Sequence, residues 1–273
     1  MTEHTEQQLD EFGEWERAAW EVRAAPYAAS LGDLTRGSIP ALLDAAGVEA
    51  HARVLDVGTG PGFVALAAAA RGADVVAVDQ STAMVEIAVG AGVDAVVASV
   101  DQLPSDDGSF DAVVAGYLLN HLPRPEAAVA SLARVLRPGG RLAVTVWDLP
   151  EANPALGLFS PVAAGLGLAA AAPPGPDAQR FSGEEAMLAL LGGVFVSAMV
   201  QRVRWMITVE PGAWFDAVAS ATPRTGAVLA AATDEQRAQL RERYVEVART
   251  RFGAPDGRVE LPAAAVLGSA TRG

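Results

Sequence analysis

VLDVGTGPG, residues 54–62, decides the fold. Arg53 to Val57 is an apolar run broken by one acid, which reads as a buried strand, and three glycines follow at once. Glycines so placed mark a turn where the backbone approaches something closely. Phe63 to Ala70 then reads as an alanine-rich helix closed by Arg71-Gly72.

The same alternation continues downstream. Asp74 to Val78 is a second strand ending at Asp79, Thr82 to Val89 a helix, and Asp94 to Ser99 a third strand. Phe110 to Gly116 is a fourth strand, preceded by the turn residues Ser105 to Ser109. Pro125 to Leu136 reads as a helix stopped by Arg137-Pro138-Gly139-Gly140, and Arg141 to Trp147 as a fifth strand. Mostly continuous apolar strands alternating with helices predict a doubly wound α/β domain with a parallel sheet covered on both faces.

On the N-terminal side, Leu9, Phe12, Trp15, Ala19 and Val22 recur at helical spacing among acids, and Leu31 to Ala46 reads as a second helix ending at Gly47. After Trp147 the alternation breaks. Residues 148–180 hold an Ala/Gly/Leu segment and a proline-rich loop, and Glu184 to Leu191 is a helix. Val194 to Val209 reads as one or two strands, 211–252 as helical, and Arg258 to Ser269 as a final strand. A length of 273 residues suits a single domain. We divide it into N-terminal helices or a lid (1–48), a ligand-binding core (49–148) and two substrate-covering insertions (149–180 and 211–252).

Composition narrows the chemistry. The chain has no cysteine and no lysine, so thiolate nucleophiles, Cys-ligated metals, disulfides and Schiff-base catalysis drop out. Three histidines, His4, His51 and His121, argue against a multi-histidine metal site, and no metal is expected. A net charge of −13 disfavours nucleic acid as a partner. The apolar stretches fall far short of the roughly 20 residues of a membrane span, and the acidic start of the chain is unlike a secretory signal. The expectation is a cytoplasmic protein with a small-molecule partner, its oligomeric state open.

The glycine spacing then selects the ligand. A dinucleotide fingerprint needs G-x-G-x-x-G, but Phe63 stands where the third glycine belongs, and without lysine there is no Walker loop. Asp56 at the strand end would repel a pyrophosphate and attract an ammonium. Asp79, at the end of the next strand, is placed to accept from the two hydroxyls of a ribose. A ribose with a cationic amino group and no pyrophosphate describes S-adenosylmethionine.

VLDVGTGPG, VVAVDQS (75–81), ASVDQLPSDDGSFDAVVAGYLLNHL (98–122) and ARVLRPGGRLAVTVWD (133–148) resemble the successive motifs of class I S-adenosylmethionine-dependent methyltransferases. The branch most similar holds ubiquinone- and menaquinone-biosynthesis-like (methyltransferase type 11) and natural-product enzymes. The resemblance is strong over about residues 50–148. It implies a Rossmann-like, doubly wound, mostly parallel seven-stranded sheet with helical substrate-covering insertions. It also implies a donor site of Asp56, Gly58, Thr59, Gly60, Asp79, Gln80, Met84, Val100, Asp101, Gln102, Gly116 and Tyr117. In that site Asp79 takes the ribose, Met84 packs on adenine and Asp101 accepts from the adenine amino group. Gly116 and Tyr117 line the methionine portion, and S-adenosylhomocysteine is the product.

Methyl transfer needs alignment and, for some acceptors, a base. His121 is the first candidate, although a packing role suits it too; Tyr27 and Asp148 are the others. Trp147, Phe159, Trp205, Met206 and Trp214 are candidates for an apolar acceptor pocket. The fourth strand is followed by Gly116-Tyr117-Leu118-Leu119-Asn120, without the Asn/Asp-Pro-Pro-Tyr/Phe run that marks base and amide methylation in this family. The function expected is methylation of an O, N or C atom of a small molecule, as a natural-product tailoring step. The alternatives are a cyclase or pericyclase that binds the cofactor without consuming it, a quinone-biosynthesis C-methyltransferase, and a non-catalytic binding module.

Overall fold

The computed structural model describes residues 4–169 and 172–273; Ala170 and Ala171 of the expected 149–180 insertion lie outside the described residues. α1 (Glu6–Ser30), α2 (Gly32–Arg36) and α3 (Ile39–Ala45) precede the sheet. The core follows as β1 (Arg53–Val57), α4 (Phe63–Ala70), β2 (Asp74–Asp79), α5 (Thr82–Gly90), β3 (Ala95–Val97), β4 (Phe110–Gly116), α6 (Pro125–Val135) and β5 (Leu136–Trp147). Beyond it come α7 (Pro154–Gly157), α8 (Phe159–Gly165), α9 (Glu184–Gly192), β6 (Val196–Val209), α10 (Pro211–Ala221), α11 (Pro223–Ala231), α12 (Asp234–Phe252) and β7 (Val259–Thr271).

The seven strands are ordered β3-β2-β1-β4-β5-β7-β6. Pairing is parallel from β3 through β5, and β7 runs antiparallel to both β5 and β6. The chain reverses direction across the sheet between β1 and β4, and in such folds the crevice beyond the carboxyl ends of those strands is the ligand site. Buried strands explain the continuous apolar runs: Val54, Leu55, Val113, Val114, Leu142 and Val144 are all fully buried. One face packs α6 and α9 through Leu132 and Met187, and the other packs α3 and α4 through Leu42 and Ala68. A third cluster gathers Phe159, Trp214, Phe215 and Tyr244 against Val259 and Leu261, so α7, α8, α10, α11 and α12 form a cap over one end of the sheet.

Two elements depart most from the sequence reading, and a third choice that it left open is decided. The helix expected over 31–46 breaks at Gly37, where an added Cβ would run into the Trp205 ring. β5 begins at Leu136, because Leu136 pairs with Phe110 and the register then slips, so that 137–140 bulge before Arg141 meets Ala112. The segment 196–209 is one strand, long enough to pair along β7 from Val196 to Val209. Among the described residues no helix is long and apolar enough to cross a membrane.

Candidate active site

The glycine turn leaves β1 at the carboxyl edge of the sheet. Gly58 has φ +70°, and a Cβ there would stand 2.9 Å from Leu118 Cδ1, so any side chain would close the gap between the β1 and β4 turns. Gly62 caps α4 in the left-handed region at φ +86°, with Val93 Cγ2 2.8 Å from where its Cβ would be. It thus allows the close helix packing that a dinucleotide fingerprint assigns to its third glycine, one residue before the expected position.

Two acids frame this turn. Asp79 is clamped by backbone amides: Gly60 N–H donates to Oδ2 at 2.8 Å and Ser81 N–H to Oδ1 at 2.9 Å. Asp79 lines the cavity, and burial raises its carboxyl above its ordinary range. Asp56 is fully buried; its Oδ2 accepts from the Thr59 hydroxyl at 2.7 Å, and its Oδ1 has no partner among the described residues. Burial, with the nearby Asp79 charge adding to it, pushes Asp56 up to about 7.

That value fixes a pH prediction. An Asp with an ordinary value of 3.8 that titrates at about 7 when folded binds its proton more tightly in the folded than in the unfolded chain. Its stabilising contribution is complete below pH 4 and is lost as the pH rises toward 7. Asp56→Asn should therefore raise the melting temperature of the ligand-free protein at pH 8 and leave it almost unchanged at pH 4, as scanning calorimetry would show. Equal effects at the two pH values would refute a buried proton on Asp56.

One cavity of about 460 Å3 runs from Asp79 across the sheet edge to the cap. Gly58, Gly60, Asp79, Gln80, Met84, Val100, Gly116 and Tyr117, all named from the sequence as donor-site candidates, line it. Thr59 and Asp56 stand behind the wall, whereas Asp101 and Gln102 sit exposed on the turn after β3 at the rim. α1 closes this end by an unforeseen clasp. Glu21 accepts from the Ser81 hydroxyl at 2.7 Å and from Ala83 N–H at 3.1 Å, fastening the helix to the start of α5.

The other end is walled by Leu118, Leu122, Trp147, Leu156, Pro161 and Val218. Tyr117 has φ +58°, a costly conformation for a bulky residue. It is held by its hydroxyl donating to Ser38 Oγ at 2.7 Å and by stacking on Trp147 at 3.8 Å between centroids. Of the five pocket candidates after β4, Trp147 alone lines this cavity. Phe159 and Trp214 are core, Trp205 packs behind Trp147 and Met206 is exposed.

His121 and Tyr27 both line the cavity. Burial pushes the Tyr27 phenol up to about 12, so it keeps its proton at neutral pH. Asp148 is elsewhere: it is buried outside the cavity wall, its Oδ2 paired with Arg202 Nε at 3.2 Å and its Oδ1 accepting from Leu149 N–H at 2.8 Å. A carboxylate so committed ties β5 to β6 and has no route to an acceptor. His121 Nδ1 lies 3.0 Å from Glu16 Oε2, and Trp20 packs edge-on against its ring at 5.0 Å. Sequence reading missed Glu16, Trp20 and Arg224, which reach the site from α1 and α11. Among the described residues no group of His, Cys, Asp and Glu is arranged to hold a metal.

Residues 55–144 match the family described as methyltransferase domain. A ubiquinone biosynthesis O-methyltransferase of Xanthomonas oryzae pv. oryzae is 42% identical over 111 residues, covering 38% of this chain and 45% of that protein. A demethylmenaquinone methyltransferase of Clavibacter sepedonicus is 40% identical over 103 residues, covering 36% and 42%. The matched stretch thus spans less than half the length of these curated relatives. A solved structure from Anabaena variabilis, provisionally assigned as a methyltransferase of an antibiotic biosynthesis pathway, shares the fold with a TM-score of 0.63 at 17% identity. It covers 87% of this chain and 99% of that one.

Proposed function

We propose that this chain transfers the methyl group of S-adenosylmethionine to an O, N or C atom of a small molecule, as a natural-product tailoring step. One observation carries the reading. Asp79, clamped by two backbone amides, opens into a cavity that continues past the Tyr117–Trp147 stack to a second, mostly apolar chamber. Donor and acceptor therefore have one space to share, with the sheet edge between them.

The residues present suit the donor. Asp79 would accept from the ribose hydroxyls, Met84 and Val100 would flank the adenine, and Asp101 at the rim would accept from its amino group. The turn at Gly58 and Gly60 leaves room for the amino-acid tail, with Asp56 buried behind that turn. When bound, S-adenosylmethionine supplies an electrophilic methyl carbon on a sulfonium. The protein's own contribution is then alignment, exclusion of water by the cap and removal of a proton where the acceptor requires it. His121 is the base we assign to that last role, with Tyr27 as a proton-holding neighbour. The names of the Xanthomonas and Clavibacter relatives favour a second reading, a quinone-biosynthesis methyltransferase acting on oxygen or carbon.

The test is product mass. Incubated with S-adenosylmethionine and a panel of hydroxylated aromatic and quinone-like compounds, the full chain should add one methyl to an acceptor and release S-adenosylhomocysteine in equal amount. An isomerised compound with the cofactor unconsumed would overturn methyl transfer in favour of a cyclase. Ligand binding without turnover across the panel would count for a binding module.

A further inference from the structure

Glu16 lies on α1, 105 residues before His121. Its side chain is 1% exposed, among Phe12, Trp20 and the cavity wall. Oε2 accepts from Trp20 Nε1 at 3.1 Å and pairs with His121 Nδ1 at 3.0 Å. Oε1 finds no hydrogen-bond donor among the described residues, and the Arg224 guanidinium stands 3.9 Å from it. A buried carboxylate costs several kcal/mol unless well satisfied, and a leucine or methionine would dock the helix without that cost. Trp20 and His121 supply donors to one oxygen only, so the acid is poorly accounted for as packing.

We infer that Glu16 is the positioning residue for His121, and that the acceptor is an acidic hydroxyl compound, a phenol or enol methylated on oxygen. This rests on the proposed methyl transfer and narrows it. A carboxylate at Nδ1 holds the proton on that nitrogen, so Nε2 is left as the lone pair available to the cavity that His121 lines. The Trp20 edge and the Glu16 bond fix the ring plane, and the carboxylate faces the imidazolium that forms on proton uptake. Arg224 from α11, beyond Glu16, and Arg180, bonded to the Leu122 carbonyl beside His121, are the cations around the pair.

Such a base matters most for a hydroxyl. A neutral amine already presents a lone pair, whereas a hydroxyl is a weak nucleophile until its proton leaves. The O–H bond breaks with its proton going to His121 Nε2, and the oxygen forms a bond to the methyl carbon. The carbon–sulfur bond breaks with its electron pair left on sulfur, giving the methyl ether and S-adenosylhomocysteine, and the imidazolium then returns the proton to solvent. The walls Leu118, Trp147, Leu156, Pro161 and Val218 suit a flat apolar ring carrying that hydroxyl.

Nitrogen-15 resonances of the histidine rings in the full chain, saturated with S-adenosylhomocysteine, read the tautomer directly. Wild-type His121 should carry its proton on Nδ1, and Glu16→Met should shift it to Nε2. Glu16→Leu, which likewise offers Nδ1 no acceptor, serves if the methionine variant does not fold, and Glu16→Asp should partly restore the wild-type pattern. In buffer just acid enough to keep free 4-nitrophenol colourless, the probe should bind wild type as the coloured phenolate. The Glu16→Met or Glu16→Leu variant should lower that ionised fraction about tenfold, with S-adenosylhomocysteine affinity within about twofold of wild type. An unchanged tautomer in both variants overturns the role of Glu16. Failure of the probe to bind, or binding without ionisation in wild type, overturns the hydroxyl acceptor. Failure of wild type to bind S-adenosylhomocysteine would instead strike the methyltransferase reading itself.

Discussion

Asp79→Ala should weaken S-adenosylmethionine binding by about a hundredfold or more, measured by titration calorimetry on the full chain. Each of the two ribose hydroxyls would donate to a carboxylate, and hydrogen bonds to charged groups contribute about 1.5–3 kcal/mol each, or together a factor of roughly 10² to 10⁴. The carboxylate is already fixed by Gly60 and Ser81 amides, so little ordering offsets the gain on binding. Alanine also strips those two amides of their acceptor, and the melting temperature of the variant must be recorded beside its affinity. Affinity within a few-fold of wild type in a folded variant would refute the ribose assignment.

The second large effect is on turnover. His121→Gln should lower kcat by about 10² to 10⁴, the usual range for loss of a general base, while leaving S-adenosylhomocysteine affinity unchanged. Glutamine is chosen because its amide can still donate to Glu16, so the buried carboxylate is not stranded, yet it takes up no proton at neutral pH. A variant that turns over at the wild-type rate would reduce His121 to a packing residue, the role a sequence reading favours.

What was legible in the sequence was local and contiguous. The Val54–Gly62 turn, Asp79 at a strand end and Tyr117 after β4 each sit beside the elements that place them, so spacing along the chain translates into position at the sheet edge. The carboxyl-end rule then brings their turns together without knowledge of any tertiary contact. Even there, the left-handed backbone of Tyr117 carried no sequence signal, because its stacking on Trp147 and its bond to Ser38 come from distant segments.

The acceptor side was less legible for the same reason. Position just after β5 suggested Asp148 as a base, but Arg202 arrives from a strand 54 residues on and holds the carboxylate away from the cavity. Aromatic content suggested five pocket residues, yet whether an aromatic points into the cavity or into the cap depends on helix packing that no local pattern encodes. Glu16 looked like one more acid on an amphipathic helix. Only the docking of α1 across α5 and α11 buries it against His121.

A crystal structure of the full chain with S-adenosylhomocysteine tests the shared-cavity account most directly. The account predicts the ribose hydroxyls on the Asp79 carboxylate, the adenine between Met84 and Val100, and the sulfur beside Tyr117, facing the chamber walled by Trp147 and Leu156. A ligand bound elsewhere, or one whose sulfur is turned away from that chamber, would contradict it.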